Sequence, residues 1–435
     1  MTLRAPWKSA QNWPTLSYTR SQEETDLSID HRTRRLIDIR PLSVTEVLDT
    51  ILPEAIENHG ESAARAIAQR ELPAIGFSID GTEWMLCSSG DRIEVAPGIG
   101  RAELVIAMSG GALSDFMQDY QSTMGLAMTS RVRVERGTMD DWIGWEPAFR
   151  ALLDGRKAFE PGDVQFLDLD GGPLDLDRVF TPEDELPEIA HFLREAGFLH
   201  LRGIFDPDEM AGVGDDIDHH IARAKPDDGD SWWAEDADGT SQAVRVLNFF
   251  EKSERLRSLV GSDRYQWLGG LTGDGHQHRL SAEGLVKPLG IVKGLSDLPW
   301  HKDCGQGRHS YHCNALTCGI SITGADRVSG ALGVVPGSHR ANVKVPGRDP
   351  LMDLKPRMLE TQTGDITVHC SDTLHRAHPP TKRPRKVVYS GFELPLLPGD
   401  EKPDQPHYSR EARAELSNVE DRIAATVTTV DQLTK

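Results

Sequence analysis

The sequence predicts an α+β chain in two parts: a mixed α+β unit, then a barrel or sandwich of short strands with flanking helices. Three observations carry this. Helical and strand-like segments between residues 41 and 160 form one complete set. From about residue 198, short β-type runs recur between Gly, Pro and Asp clusters, the cadence of a sandwich or jelly roll. At 435 residues the chain also exceeds the usual size of one domain, so two are expected. The expected divisions are an irregular segment 1–40, an α+β domain 41–160, a linker 161–178, a β-rich domain 179–400 and a helical tail 401–435.

In the first unit, Ser43-Val44-Thr45-Glu46 is a capping box and opens a helix. A second helix is expected from Glu61 to Arg70, with Gly60 marking the break. Ala74–Ile79 and Thr82–Cys87 flank Asp80-Gly81, the signature of a hairpin with a primed turn. Arg92–Val95 and Ala102–Met108 continue as strands. Gly110–Tyr120 reads as a helix with Leu113, Phe116 and Met117 on one face. A strand Val132–Glu135 and a helix Pro147–Leu153 complete the unit.

Glu160-Pro161-Gly162-Asp163 and LDLDGGPLDLD have linker composition. The second unit opens with a helix Pro182–Ala196 and a strand Phe198–Arg202. Asp206-Pro207-Asp208-Glu209 then caps another helix, with Pro in its first turn. Trp232-Trp233, inside DDGDSWWAEDADG, is expected to lie in a loop that lids a site, with a core pair as the alternative. Glu411–Ala424 reads as helical.

A net charge of −20 argues against a nucleic-acid partner, which needs a basic surface. No apolar run is long enough to span a membrane, so no stable membrane insertion is expected. The N-terminus MTLRAPWKSAQNWP lacks the apolar core of a signal peptide, which makes a cytoplasmic location the expectation. Five cysteines without a CxxC pair form neither a disulfide framework nor a structural zinc site. Free thiols fit a reducing compartment.

Pro299-Trp300-His301-Lys302-Asp303 holds an H-x-D pair. Composition alone produces a few such pairs; His59-Gly60-Glu61 has the same spacing. The first stands out because residues two apart on a strand share a face, so His301 and Asp303 can converge on one ion. A facial triad needs a second histidine from elsewhere in the barrel. His375 is the candidate, with His369 and His378 as rivals. Ten positions beyond His375 stands Arg385, expected on a neighbouring antiparallel strand joined by the turn HPPTKRP and facing the same cavity. A buried guanidinium there could fork onto the distal carboxylate of a keto acid whose other end meets the metal. Lys382 and Arg383 are read as solvated turn charges. His219-His220, His276-Gln277-His278, His309, His312 and His339 are read as structural.

LREAGFLHLRGIFDPDEM, PWHKD, SGALGVVPGSHR and GDITVHCSDTLHRAHPPTKRPRKVV stand in that order between about 165 and 395. With them, the second unit resembles the phytanoyl-CoA dioxygenase family. The resemblance implies a double-stranded β-helix, Fe(II) held by His301, Asp303 and His375, and 2-oxoglutarate anchored by Arg385. With O2 these would yield succinate, CO2 and a hydroxylated product. Desaturation and ring formation use the same ligands and are the alternatives, as is a non-catalytic lipid-binding protein. The family often has Gln between its first two ligands. Here Lys302 stands there, and it is expected to meet either the keto acid or an acidic substrate group. Asp303 fills the position that related halogenases leave open. Residues 45–157 resemble the sterol-carrier-protein-2-like domain, through the hairpin at Asp80-Gly81, AELVIAMSGGALSDFMQDY and VRVERGTMDDWIGWEPAFRALLDG. That resemblance implies either an apolar tunnel for an acyl chain or sterol, or a unit that only packs or makes a homodimer. A small hydrophobic substrate is expected: a lipid, acyl-CoA, terpenoid or other natural product.

Overall fold

A computed structural model describes residues 39–226, 228–273, 275–293, 298–303, 315–345 and 349–393. The expectations for 1–38 and for the tail helix Glu411–Ala424 lie outside the described residues, as do those for Cys304, Cys313, His309 and His312.

Ser43 caps the first helical run, its Oγ accepting from the Glu46 N–H at 3.1 Å. The run passes through Val44–Glu46, a π turn Val47–Ile51 and a helix Leu52–Gln69. The expected break at Gly60 is absent. Gly60 lies on the buried face, where a Cβ would stand 3.4 Å from Ile56. A glycine costs about 1 kcal/mol against alanine inside a helix, and the packing of that face outweighs it.

Five strands follow: β1 (Ile75–Ile79), β2 (Thr82–Ser89), β3 (Arg92–Pro97), β4 (Leu104–Met108) and β5 (Val132–Arg136). Asp80 and Gly81 both take positive φ, 47° and 88°, as the tight β1–β2 turn requires. The order is β3-β2-β1-β4-β5, with β1 and β4 parallel and the other pairs antiparallel. The helix expected to reach Tyr120 ends at Met117, because Asp119 turns left-handed (φ 53°). Thr123–Met128 is an unexpected helix, capped by Ser122. Helices Met139–Gly144 and Glu146–Asp154 close the unit.

Between sheet and helices lies an aromatic core. The rings of Phe77 and Trp84 stack at 4.2 Å, Phe116 meets Phe149 at 4.9 Å and Trp142 at 5.2 Å, and Trp145 meets Phe149 at 5.0 Å. Leu113, Phe116, Met117, Trp84, Trp142 and Trp145 are all buried in this one cluster. These side chains pack against one another.

The second unit places helix Leu186–Ala196 before β6 (Phe198–Leu201), and helix Pro207–Ile221 after it with the expected Asp206/Glu209 capping box. Then come β7 (Ser231–Asp236), β8 (Ser241–Val246), β9 (Gln277–His278), β10 (Glu283–Lys287), β11 (Ile291–Lys293) and β12 (Leu298–His301). The last six are β13 (Ala315–Ser321), β14 (Leu332–Val334), β15 (Arg357–Leu359), β16 (Ile366–Cys370), β17 (His375–Ala377) and β18 (Arg385–Glu393). They form two sheets, β11-β7-β8-β10-β18-β13-β16-β6, with β9 also on β18, and β12-β17-β14-β15. All the strand pairs in these two sheets are antiparallel.

Trp232 and Trp233 do not form a lid loop. They lie on β7, paired with β8, and Trp232 is buried under the Arg245 guanidinium, 4.4 Å from its ring. The acidic residues that suggested a loop make the tight β7–β8 turn instead, where the Asp236 carboxylate accepts from the N–H groups of Asp238 and Thr240.

Buried Asp365 ties the start of β16 to β6. It accepts from His200 Nε2 (2.9 Å), the Gly203 N–H (2.9 Å) and the Gln362 N–H (2.8 Å). Burial pushes its carboxyl up, but these bonds outweigh burial and hold it below its ordinary value of 3.8. A depressed folded-state pKa adds stability above the unfolded value, and that stability is lost as pH falls through the folded one. Asp365→Ala should therefore cost about 1–3 kcal/mol near pH 7, from donors left buried without acceptors. Denaturant midpoints should show the gap from the wild type narrowing below about pH 4; a gap independent of pH would refute the account.

Candidate metal centre

β12 and β17 lie side by side, with His301 paired to His375. Strand alternation turns both imidazoles toward the larger sheet. Asp303 follows β12, and its Oδ1 lies 3.5 Å from Nε2 of His301 and 3.5 Å from Nε2 of His375. The ligating atoms of His301, Asp303 and His375 all fall within 4.8 Å of one another, a spacing that one metal ion can bridge. The structure thus brings together the three residues that the sequence singled out.

Electrostatics prepare the cluster for a cation. Burial raises the Asp303 carboxyl, but the neighbouring His375, His301 and His369 prevail and hold it well below the usual range. Burial, and then the charges of His369 and His301, push His375 well down. An ionised carboxylate and a neutral imidazole are the forms that bind metal. His375 Nδ1 donates to the Thr373 carbonyl at 2.9 Å, leaving Nε2 as the free donor atom facing the cluster. Thr317 on β13 donates to Asp303 Oδ2 at 2.9 Å and so orients the carboxylate across the gap between the sheets. Sequence reasoning missed Thr317; its only signal was an inward position on a strand.

The rivals resolve differently. His369 on β16 is buried, with Nε2 3.6 Å from Asp303 Oδ2 and its ring 4.2 Å from that of His375. It stands beside the cluster, outside the set of three. His378 is part-buried in the turn after β17, and burial followed by the charges of Arg376, Lys287, Arg327 and Arg385 pushes it down to about 4.

Those charges mark an anion-favouring region. Arg385 is buried, and its Nε and Nη2 have no hydrogen-bond partner among the described residues. Lys287 is its cross-strand neighbour on β10, and Lys287 Nζ donates to the His378 carbonyl at 2.7 Å. A Cβ on Gly284 of β10 would meet Ile217 and Phe249, so that alternate face belongs to the helices. Lys287, and with it Arg385, face the smaller sheet. Lys382 and Arg383 are exposed, as expected of turn charges.

Lys302 corrects the sequence reading. Alternation points it away from the cluster, where it is fully buried and donates to the carbonyls of Ser338 (2.9 Å) and Ala341 (3.4 Å). It is not placed to meet a keto acid at the metal. The other described histidines singled out in the sequence lie apart from the set of three. His339 donates to the Arg194 carbonyl at 2.8 Å. His278 donates to or accepts from Ser390 and packs on Tyr265 and Phe392. His219 and His220 lie in the last turn of helix Pro207–Ile221.

Two facing antiparallel sheets with a His-Asp-His cluster between them define a candidate mononuclear metal centre. Residues 193–387, which contain the whole of it, match the phytanoyl-CoA dioxygenase (PhyH) family. No curated protein matches the chain. Similar solved structures include AviO1 from Streptomyces viridochromogenes Tue57, 21% identical, spanning 50% of this chain and 98% of that one, with a TM-score of 0.40. The non-heme alpha ketoglutarate dependent epimerase SnoN from nogalamycin biosynthesis is 19% identical over 48% of this chain and 82% of its own, with a TM-score of 0.41. EctD from S. alaskensis, solved with 2-oxoglutarate and 5-hydroxyectoine, is 18% identical over 55% and 87%, with a TM-score of 0.41. No described helix is long and apolar enough to cross a membrane.

Proposed function

We propose that the chain is an Fe(II)- and 2-oxoglutarate-dependent dioxygenase that hydroxylates an unactivated C–H bond of a small hydrophobic molecule. One observation carries the reading: the His301/Asp303/His375 cluster shares a barrel with Arg385, a buried guanidinium whose Nε and Nη2 are unpartnered among the described residues. A buried cation with unpaired donors is costly unless an anion completes it. A dicarboxylate that reaches from the metal to Arg385 would do so.

Iron, 2-oxoglutarate and O2 together supply the oxidising chemistry, with the keto acid leaving as succinate and CO2. The chain's part is to hold and orient. Asp303, His301 and His375 would hold the ion, and three protein ligands would leave it positions for the keto acid and O2. Thr317 fixes the plane of Asp303, and the Thr373 carbonyl fixes the ring of His375. Arg385 sets the keto acid's direction, and Lys287 adds positive charge beside it.

The test is anaerobic titration of the full chain with Fe(II) and then 2-oxoglutarate, followed by turnover with candidate lipids, acyl-CoAs and terpenoids read by mass spectrometry. A visible charge-transfer band that needs both iron and keto acid is expected, with a product heavier by one oxygen and matched by succinate. A band without any oxidised product from the hydrophobic set would reject the substrate class. Absence of the band would reject the co-substrate.

A further inference from the structure

The strands that carry the metal-ligating residues are short and loosely registered. β12 and β17 share only the pairs Leu298–Ala377 and His301–His375, with an irregularity between them. So sparse a ladder cannot by itself hold three ligating atoms to the tolerance a metal needs, which is about half an ångström. The precision has to come from what lies behind the sheet.

Behind it, Trp300 and Leu374 point away from the centre, each one residue before a ligating histidine. They are buried in a cluster with Val335, Ala341, Val343 and Phe159. Lys302, between His301 at the end of β12 and Asp303 just after it, reaches the carbonyls of Ser338 and Ala341. Ser338 Oγ accepts from the Leu374 N–H at 2.7 Å. Segment 338–345 is therefore the back support of both ligating strands.

That segment is itself held by the N-terminal unit. Asn342, buried, donates through Nδ2 to the carbonyls of Pro147 (2.9 Å) and Arg156 (3.1 Å), at the start and just past the end of the last N-terminal helix. The Asn342 carbonyl accepts from the Phe159 N–H at 3.0 Å. Arg70, at the end of helix Leu52–Gln69, donates at 2.9 Å to the Phe159 carbonyl and at 2.9 Å to Asp349, whose Oδ2 also accepts from the Lys344 N–H at 3.5 Å and so ties Arg70 to the segment; the Arg70 and Asp349 side chains are both buried. Lys344 pairs with Asp140.

We propose that the N-terminal unit is a positioning element of the metal centre, acting through Asn342 and Arg70 on segment 338–345 and thence on His301, Asp303 and His375. The proposal rests on the metal reading above. In this arrangement the two units are one cooperative body at the back of the site. Metal binding and the docking of the first unit then favour each other, and by linkage the coupling runs both ways.

The experiment uses the full chain and Co(II) as the probe. Hydrogen exchange is followed by mass spectrometry with and without the metal. Slower exchange is expected in 146–159 and 338–345 on loading, while β3, on the far edge of the N-terminal sheet, keeps its rate as an internal reference. Protection confined to 298–303 and 366–377 overturns the proposal. In the reverse direction, Asn342→Ala, and Arg70→Lys as the gentler change, should weaken Co(II) about tenfold, the low end of what losing an outer support costs a metal, and alter its visible spectrum. A lowered melting temperature with unchanged Co(II) affinity and spectrum would mean a merely structural contact, and overturns it too. If Asn342→Ala does not fold, Arg70→Lys and the exchange data decide. If the wild-type chain binds no Co(II), the metal reading itself fails, an outcome separate from the others.

Discussion

Asp303→Ala and His375→Ala should each weaken metal binding by more than about a hundredfold, since changes one shell further out already cost 10–100-fold, and each should abolish substrate-coupled succinate formation. The reason is geometric. The three ligating atoms lie within 4.8 Å of one another, and nothing else in the described cluster substitutes for Asp303, the carboxylate that bridges both histidines at 3.5 Å. His369→Ala is the informative contrast. Its ring touches His375 and its Nε2 lies 3.6 Å from the other oxygen of Asp303, so its loss should shift affinity modestly while leaving one metal per chain. Metal content after gel filtration and equilibrium titration read all three. Full metal binding by His375→Ala, with loss in His369→Ala, would move the third ligand to His369.

How far this site could be read from the sequence depended on whether the relevant geometry is local. His301 and Asp303 were legible because strand alternation puts residues two apart on one face. The Ser43 and Asp206 caps and the Asp80-Gly81 turn were legible because the constraint acts within four residues. Arg385 was legible by its place in the motif, but not by strand pairing: the Pro-rich connection crosses between the sheets, so β17 lies in the smaller sheet and β18 in the larger, and the two are not the neighbouring antiparallel strands that the spacing suggested. Lys302 could have been read the same way: alternation alone sends it opposite to both ligands, although its family position suggested the keto acid. Other features have no local signature. Thr317 is one threonine among several on inward strand positions until β13 is seen facing Asp303. The parallel pairing of β1 with β4 joins strands separated by a hairpin and a further strand. Trp232 and Trp233 looked like loop because acidic turn residues outweighed a short strand in composition. The Arg70–Asp349 pair spans 279 positions, and no spacing rule connects them.

Arg385→Ala should raise the KM for 2-oxoglutarate strongly while leaving metal affinity nearly intact. Removing one partner of a buried, charge-assisted contact typically costs about 2–5 kcal/mol, which at 1.4 kcal/mol per tenfold is a factor of roughly thirty to several thousand. The structure sharpens the expectation by disposing of the neighbouring cations. Arg383 is exposed and paired with Asp326, and Lys386 turns to the helix face and pairs with Asp218. Arg385 alone of the three is buried, with donors left unpartnered among the described residues. Arg385→Lys should restore little, because an ammonium cannot reproduce the planar fork. Lys287 remains beside the vacated position, so some dicarboxylate preference should persist in Arg385→Ala and fall further in the double variant with Lys287→Met. Steady-state kinetics in 2-oxoglutarate, with Co(II) titration as the control on the metal, measure both. An unchanged KM in Arg385→Ala would exclude it as the keto-acid anchor. A lost metal site in the same variant would mean that Arg385 supports the fold of the barrel rather than the co-substrate.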